Sequence, residues 1–129
     1  MMKKEKSIWL DKPAAEDYQA AHDYLSLLFS EAVTRKLVQR LRRAPTMARQ
    51  AKDLLRASQT HLLEPDNAHV ADDLKKIKKG KKLSPVLLIR GNGKTGVTLA
   101  IADGHHRICA SWQWNEDVPV ACCIASLDG

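Results

Sequence analysis

Residues 102–112 read ADGHHRICASW, and within them Asp103, Gly104, His105, His106 and Arg107 stand side by side after the apolar run GVTLAI. A carboxylate, two imidazoles and a guanidinium in one short stretch can hold an anion, move a proton or meet a metal. The run before them has the alternation of a strand, and HHRICASWQW has the pattern of a helix, so the group falls at a strand-to-helix junction. The start of a helix presents unpaired backbone N–H groups and the positive end of its dipole, which suits a phosphate. Gly104 would let a ligand approach the backbone, and Arg107 could grip a phosphate through two parallel hydrogen bonds. His105 or His106 would add a donor that strengthens on protonation. Asp103 could orient a histidine, fix the turn or meet Mg²⁺; equally, it could cap the helix while the basic residues decorate its first turn. Both readings stand at this point.

Two other motifs lead elsewhere. GNGKTG resembles a phosphate-binding loop, but that motif needs a glycine five positions before Gly93, where Leu88 stands, and it must open a helix. Here a strand follows, so the stretch reads as a hairpin turn. His105, His106, Cys109, Cys122 and Cys123 are donor types for zinc, yet no Cys-x-x-Cys or His-x-x-x-His spacing occurs. Adjacent histidines project about 100° apart on a helix, and Cys122 and Cys123 point to opposite faces of a strand. No protein-only metal site is expected, and the three cysteines read as small core residues.

The elements that would carry the junction can be read from periodicity and punctuation. Ala14, Tyr18, Ala21, Leu25, Leu28 and Ala32, widened by Phe29, Val33, Leu37 and Leu41, form an amphipathic stripe on one long helix or two in succession, ending near Arg43. Pro45 breaks it, and Thr46 is placed to cap a further helix to about Ala57, with Met47, Leu54 and Leu55 inward. QTHLLE (residues 59–64) reads as a short strand. Asn67 caps a helix containing Val70, Leu74 and Ile77 that stops at Gly80. VLLIR and VTLAIA pair across the turn, and VPVACCIA is a last strand. Residues 1–10 read as a loose basic arm. The expectation is an α+β chain: an N-terminal helical segment over residues 1–58, then a β-α-β-β-α-β unit with a small mixed sheet over residues 59–129.

With 129 residues and 44% hydrophobic content the chain can bury a core, which must be mainly aliphatic because aromatics are only 5%. No run reaches the roughly 18 apolar residues of a membrane span, and the N-terminus lacks the apolar stretch of a signal peptide. With three cysteines and no disulfide framework, a reducing, cytoplasmic setting is expected. The net charge of +6 is unevenly spread. Residues 35–56 hold Arg35, Lys36, Arg40, Arg42, Arg43, Arg49, Lys52 and Arg56 against Asp53 alone, and residues 75–82 hold six lysines and no acid. Either block could meet phosphate backbone, or simply be a solvated face. Without aromatic interleaving, single-strand stacking is not expected. The first block makes DNA a candidate partner through Arg35, Arg40, Arg42, Arg43 and Arg49, and the N-terminal stripe is wide enough to serve a homodimer.

From about residue 59 to residue 125 the chain resembles the ParB/sulfiredoxin superfamily. The likeness rests on VADDLKKIKKGKKLSPVLLI, on VTLAIADGHHRICASW with its Gly-x-x-Arg segment, and on VPVACCIA. It implies a nucleotide-phosphate site (CTP, or ATP and ADP, with or without Mg²⁺) at Gly104, His105, His106 and Arg107. The glycine-to-proline turn would add Gly80, Lys81, Lys82 and Ser84. His105 stands where sulfiredoxins carry their catalytic cysteine, so sulfinic-acid reduction is not expected. Asp-Gly-His-His-Arg is similar to the motif of the free-serine kinases in this superfamily, which implies a carboxylate base; Glu64, Asp66 and Asp103 are the candidates, with His105 as a further proton carrier. Three functions follow: a nucleotide- or phosphate-binding module that associates with DNA, a small phosphotransferase or nucleotide hydrolase at the same seat, or an interaction domain with a vestigial pocket.

Overall fold

The structure is a computed structural model that describes residues 7–127; the first part of the basic arm read from the sequence lies outside the described residues. In chain order the elements are α1 (Ala15–Leu25), α2 (Glu31–Arg43), β1 (Met47–Arg49), α3 (Ala51–Ser58), α4 (Ala68–Lys78), β2 (Val86–Ile89), β3 (Ala100–Asp103), α5 (His105–Trp114) and β4 (Val120–Ala125). The class is α+β with one small mixed sheet, in the order β1-β4-β2-β3. β2 runs parallel to β4, while β1 pairs antiparallel with β4 and β3 antiparallel with β2.

Helices cover both faces of the sheet. Val86 and Leu88 join Cys122 and Val120 in a core beneath α3, α4 and α5; Leu87 and Ile89 join Cys123 and Ala125 in a second core beneath α1 and α2. A strand buried on both faces has no polar side to show, which is why VLLI is an unbroken apolar run. The same alternation sends Cys122 and Cys123 into different cores. Burial raises all three cysteine thiols, that of Cys122 to about 11, so none is a ready thiolate. The inner stripe of α1 and α2 (Ala21, Leu25, Leu37, Leu41) is fully buried against the sheet. Among the described residues no helix is long and apolar enough to cross a membrane.

Local signals set several boundaries. Ser30 caps α2 through Val33 N–H at 3.3 Å, so the N-terminal stripe is carried by two helices. The Asn67 side chain accepts from the amides of His69 and Val70, capping α4. At its other end Gly80, at φ 79°, donates to Ile77 O while Lys81 donates to Lys76 O, a paired C-terminal closure that needs a left-handed residue.

Two sequence expectations need correction. Thr46 does not open a helix to Ala57: Met47–Arg49 forms an edge strand on β4, α3 starts at Ala51, and Met47 is exposed rather than inward. Pro45 holds Ala44 extended (ψ 140°), and the free edge of β4 then offers ladder bonds that a first helical turn lacks. Residues 59–64 do not form a strand either. Gln59 ends α3 in the left-handed region, and the chain beyond it runs along α5, whose side chains take its polar groups. His105 Nε2 meets His61 O at 2.9 Å, Gln113 Nε2 donates to Leu63 O at 3.1 Å, and Leu63 N–H faces Cys109 Sγ at 3.5 Å. The hairpin GNGKTG forms as expected, closed by the Asn92–Val97 bridge, but β3 begins only at Ala100.

Candidate functional site

Three segments converge on the start of α5. Ile8–Leu10 is laced to Leu83 by Leu83 N–H to Ile8 O (2.7 Å) and Leu10 N–H to Leu83 O (2.8 Å), and Trp9 Nε1 donates to Pro119 O. That lacing brings the first turn of α1 over the turn before β2. There Ser84 Oγ accepts from Ala14 N–H at 2.9 Å and donates to the Asp17 carboxylate. β3 delivers Asp103 from the other side, and α5 starts at once behind Gly104.

Arg107 lies at the centre. Its Nη2 meets Asp103 Oδ2 at 3.0 Å, Pro85 O at 3.4 Å and Asp17 Oδ2 at 3.7 Å, while its Nε is buried without a protein partner. Gly104 sits at φ 119°, and a Cβ there would strike the Val86 side chain and lie 2.9 Å from Arg107 Nη2. This corrects the sequence reading of Gly104. The space that its missing side chain leaves is filled by the protein's own Val86 and Arg107, not held open for a ligand.

The helix itself is uncapped by any side chain, and its first internal bond is Ile108 N–H to Gly104 O at 3.0 Å. Asp103 is therefore not the cap of α5; its carboxylate serves Arg107, and the amides of the first turn keep their donors for another acceptor. In front of them opens a cavity of about 410 Å³, within the range of small-ligand sites. Its donors are Lys76, Lys82, His69, His106 and Arg107; its acids are Glu16, Asp17, Asp72, Asp73 and Asp103. A larger groove of about 1140 Å³ runs beside Met47 and Trp114, and among the described residues its charged lining is Asp11 and Asp117, whereas the smaller cavity gathers cations and acids together.

Electrostatics inside the cavity follow from burial. The Asp103 carboxyl is pushed above the ordinary carboxylate range by burial, against the pull of Arg107, and burial raises Asp73 as well. His106, packed 4.6 Å from the His69 ring, is held below the usual histidine value by burial and by the neighbouring imidazoles. A histidine with a depressed folded pKa contributes stability above its unfolded pKa and loses it as pH falls through the folded one. The raised Asp103 and Asp73 carboxyls work in the opposite direction, so the histidine's part is read from the mutant. Between pH 7 and pH 5.5 in urea denaturation, the change in stability of His106→Gln should be shifted toward greater stability at the lower pH relative to wild type, and an identical change in the two would remove His106 as a contributor.

The sequence candidates divide. Asp103, Gly104, His106, Arg107, Lys82 and Ser84 line the cavity. The His105 ring turns away to the His61 carbonyl, and Gly80 and Lys81 lie outside on the α4 turn. Glu64 and Asp66, the proposed bases, are exposed and line no part of it, because the segment carrying them lies along α5 rather than over its start. The structure instead supplies Asp17, 8% exposed, which sequence reading missed. Its one signal was position: Asp17, Ala21 and Leu25 are spaced by four, placing a carboxylate in register with the buried stripe.

The arginines named for DNA are partly committed elsewhere. Arg40 holds the Ser126 and Leu127 carbonyls, Arg42 stacks on Tyr18 at 4.5 Å, and Arg35 pairs with Glu31 at 3.2 Å. Arg40 is half-buried, whereas Arg35, Arg42, Arg43 and Arg49 are exposed. Among the described residues no group of three or more His, Cys, Asp or Glu is placed to hold a metal. No family model, no curated protein and no solved structure matches this chain.

Proposed function

We propose that the cavity at the start of α5 binds a phosphate-bearing ligand, of the nucleotide class that the ParB/sulfiredoxin-like resemblance implies. One observation carries this reading: an uncapped helix start opens onto the same cavity as Lys82, His106 and Arg107. Helix amides beside Lys82, His106 and Arg107 bring donors and positive charge to one anion seat. Arg107 already has carboxylate partners, so it holds the cavity wall as well as bringing positive charge to the ligand.

A second reading, phosphoryl transfer at this seat, is favoured by Asp17. A carboxylate that is largely buried, fixed by Ser84 and placed in the phosphate cavity has the position of a base that takes a hydroxyl proton. Asp103, raised by burial, is the second carboxylate of that reading.

Thermal melting with inorganic phosphate, CTP, ATP and ADP, each with and without Mg²⁺, tests the seat. Ligand at a hundred times its dissociation constant stabilises by about 2.7 kcal/mol. Lys82→Gln, an exposed side chain whose loss spares the fold, should reduce the shift at fixed ligand concentration. Equal shifts in wild type and Lys82→Gln, or none in either, would overturn the reading. Phosphate release from ATP that survives Asp17→Asn would dismiss Asp17 as the base.

A further inference from the structure

Beside the cavity, the closing turn of α4 gathers Lys75, Lys76, Lys78, Lys79, Lys81 and Lys82 within eight consecutive residues, all of them exposed. Lysines at a helix C-terminus are favoured by the dipole, so their presence alone needs no ligand. Their disposition is more informative. Gly80 reverses the chain, so the basic run does not continue along a helix face but folds back toward the cavity. Lys76 and Lys82 line the cavity, and Lys75, Lys78, Lys79 and Lys81 lie outside it on the same turn. Acid faces the run on its cavity side, where Lys76 reaches Asp73 at 3.8 Å and Glu16, Asp17, Asp72 and Asp103 share the lining; among the described residues no other lysine of the run has an ion pair. A free nucleotide in a 410 Å³ cavity could touch the first pair but not the outer four.

We infer that the ligand of this cavity is the terminal phosphate of a nucleic acid, whose backbone runs out across the α4 turn. The inference rests on the phosphate reading of the cavity and extends it to a substrate class. A terminal monoester reaches the cavity with a sugar on one side only, and it carries a higher charge than a chain-internal phosphate. The outer lysines then follow the backbone, the sequence-independent part of nucleic-acid binding. The polyanion contact proposed here lies on the lysine turn beside the cavity rather than on the arginine helices, where Arg40 is held by the Ser126 and Leu127 carbonyls.

The test uses a short blunt DNA duplex, with a 5′-phosphate or a 5′-hydroxyl, followed by fluorescence anisotropy over a salt series. The phosphorylated duplex should bind more tightly than the hydroxyl form. A variant with Lys75, Lys78, Lys79 and Lys81 changed to Gln should bind it at least about tenfold more weakly, with a salt slope shallower by about two or more. That variant should keep the full melting shift with inorganic phosphate. Equal affinity for the two duplex ends, wild-type binding by the lysine variant, or equal competition by poly-glutamate would each overturn the inference. Loss of the phosphate shift in wild type would instead overturn the cavity reading on which it rests, so the two failures are distinguishable.

Discussion

Arg107→Met should lower the stability of the folded chain by about 3–5 kcal/mol, the scale for removing one partner of a buried ion pair. The arginine side chain is 17% exposed, and its carboxylate neighbours Asp17 and Asp103 are 11% and 20% exposed. Without the guanidinium, two acids that line the same cavity are left with no cation between them, and Pro85 O loses its donor. The effect is an electrostatic imbalance rather than lost volume, because methionine fills similar space. Adding Asp17→Asn and Asp103→Asn to Arg107→Met should therefore recover much of the loss, whereas either asparagine alone should recover less. Urea denaturation of the full mutant cycle measures this coupling. A triple variant no more stable than Arg107→Met would show that the arginine acts through packing. Arg107→Met should also lose the phosphate-induced melting shift, while Arg107→Lys, which keeps charge but not the fork, should retain only part of it.

How much of this arrangement the sequence could reveal depends on how local its causes are. α4 is legible because Asn67 caps it and Gly80 ends it within the element itself. β2 is legible because burial on both faces demands four apolar residues in a row. The Asp103–Arg107 junction is legible for the same reason: strand and helix patterns meet at a glycine. β1 is not, since three residues with an exposed pattern become a strand only because β4, distant in the chain, has a free edge. Residues 59–64 carry the apolar content of a strand, yet their polar groups are met by His105, Gln113 and Cys109 of α5, a pairing that no local pattern announces. Asp17 shows the same limit at the site. Its partner Ser84 lies 67 residues away, and in AAEDYQAA an acid in the first helical turn has the dipole as sufficient reason. Hence Glu64 and Asp66, proposed for their place before α4, lie outside the cavity, whereas Asp103, the third candidate, lines it and a further carboxylate, Asp17, comes from α1.

Gly104→Ala should destabilise the chain by about 2–5 kcal/mol, and comparison with two other glycines isolates the reason. Gly93 has open space where a Cβ would stand and no positive φ, so Gly93→Ala should be close to neutral. Gly80 also has open space but sits at φ 79°, and Gly80→Ala should cost about 1–2 kcal/mol from backbone strain alone. Gly104 carries both burdens: φ 119° and a Cβ position 2.8 Å from Val86 Cβ and 2.9 Å from Arg107 Nη2. Val86 is fully buried in the middle of the sheet and cannot retreat, so the displaced group is Arg107, which would be driven from Asp103 and Asp17. Gly104→Ala should thus damage the anion seat together with the fold. Its residual folded population should give a smaller melting shift with phosphate than Gly80→Ala does, measured at temperatures where both variants are folded. If Gly104→Ala proved no more destabilising than Gly80→Ala, the crowding of Val86 and Arg107 against that backbone would be wrong. The mutual packing of guanidinium, strand and helix start would then no longer account for the glycine of the motif.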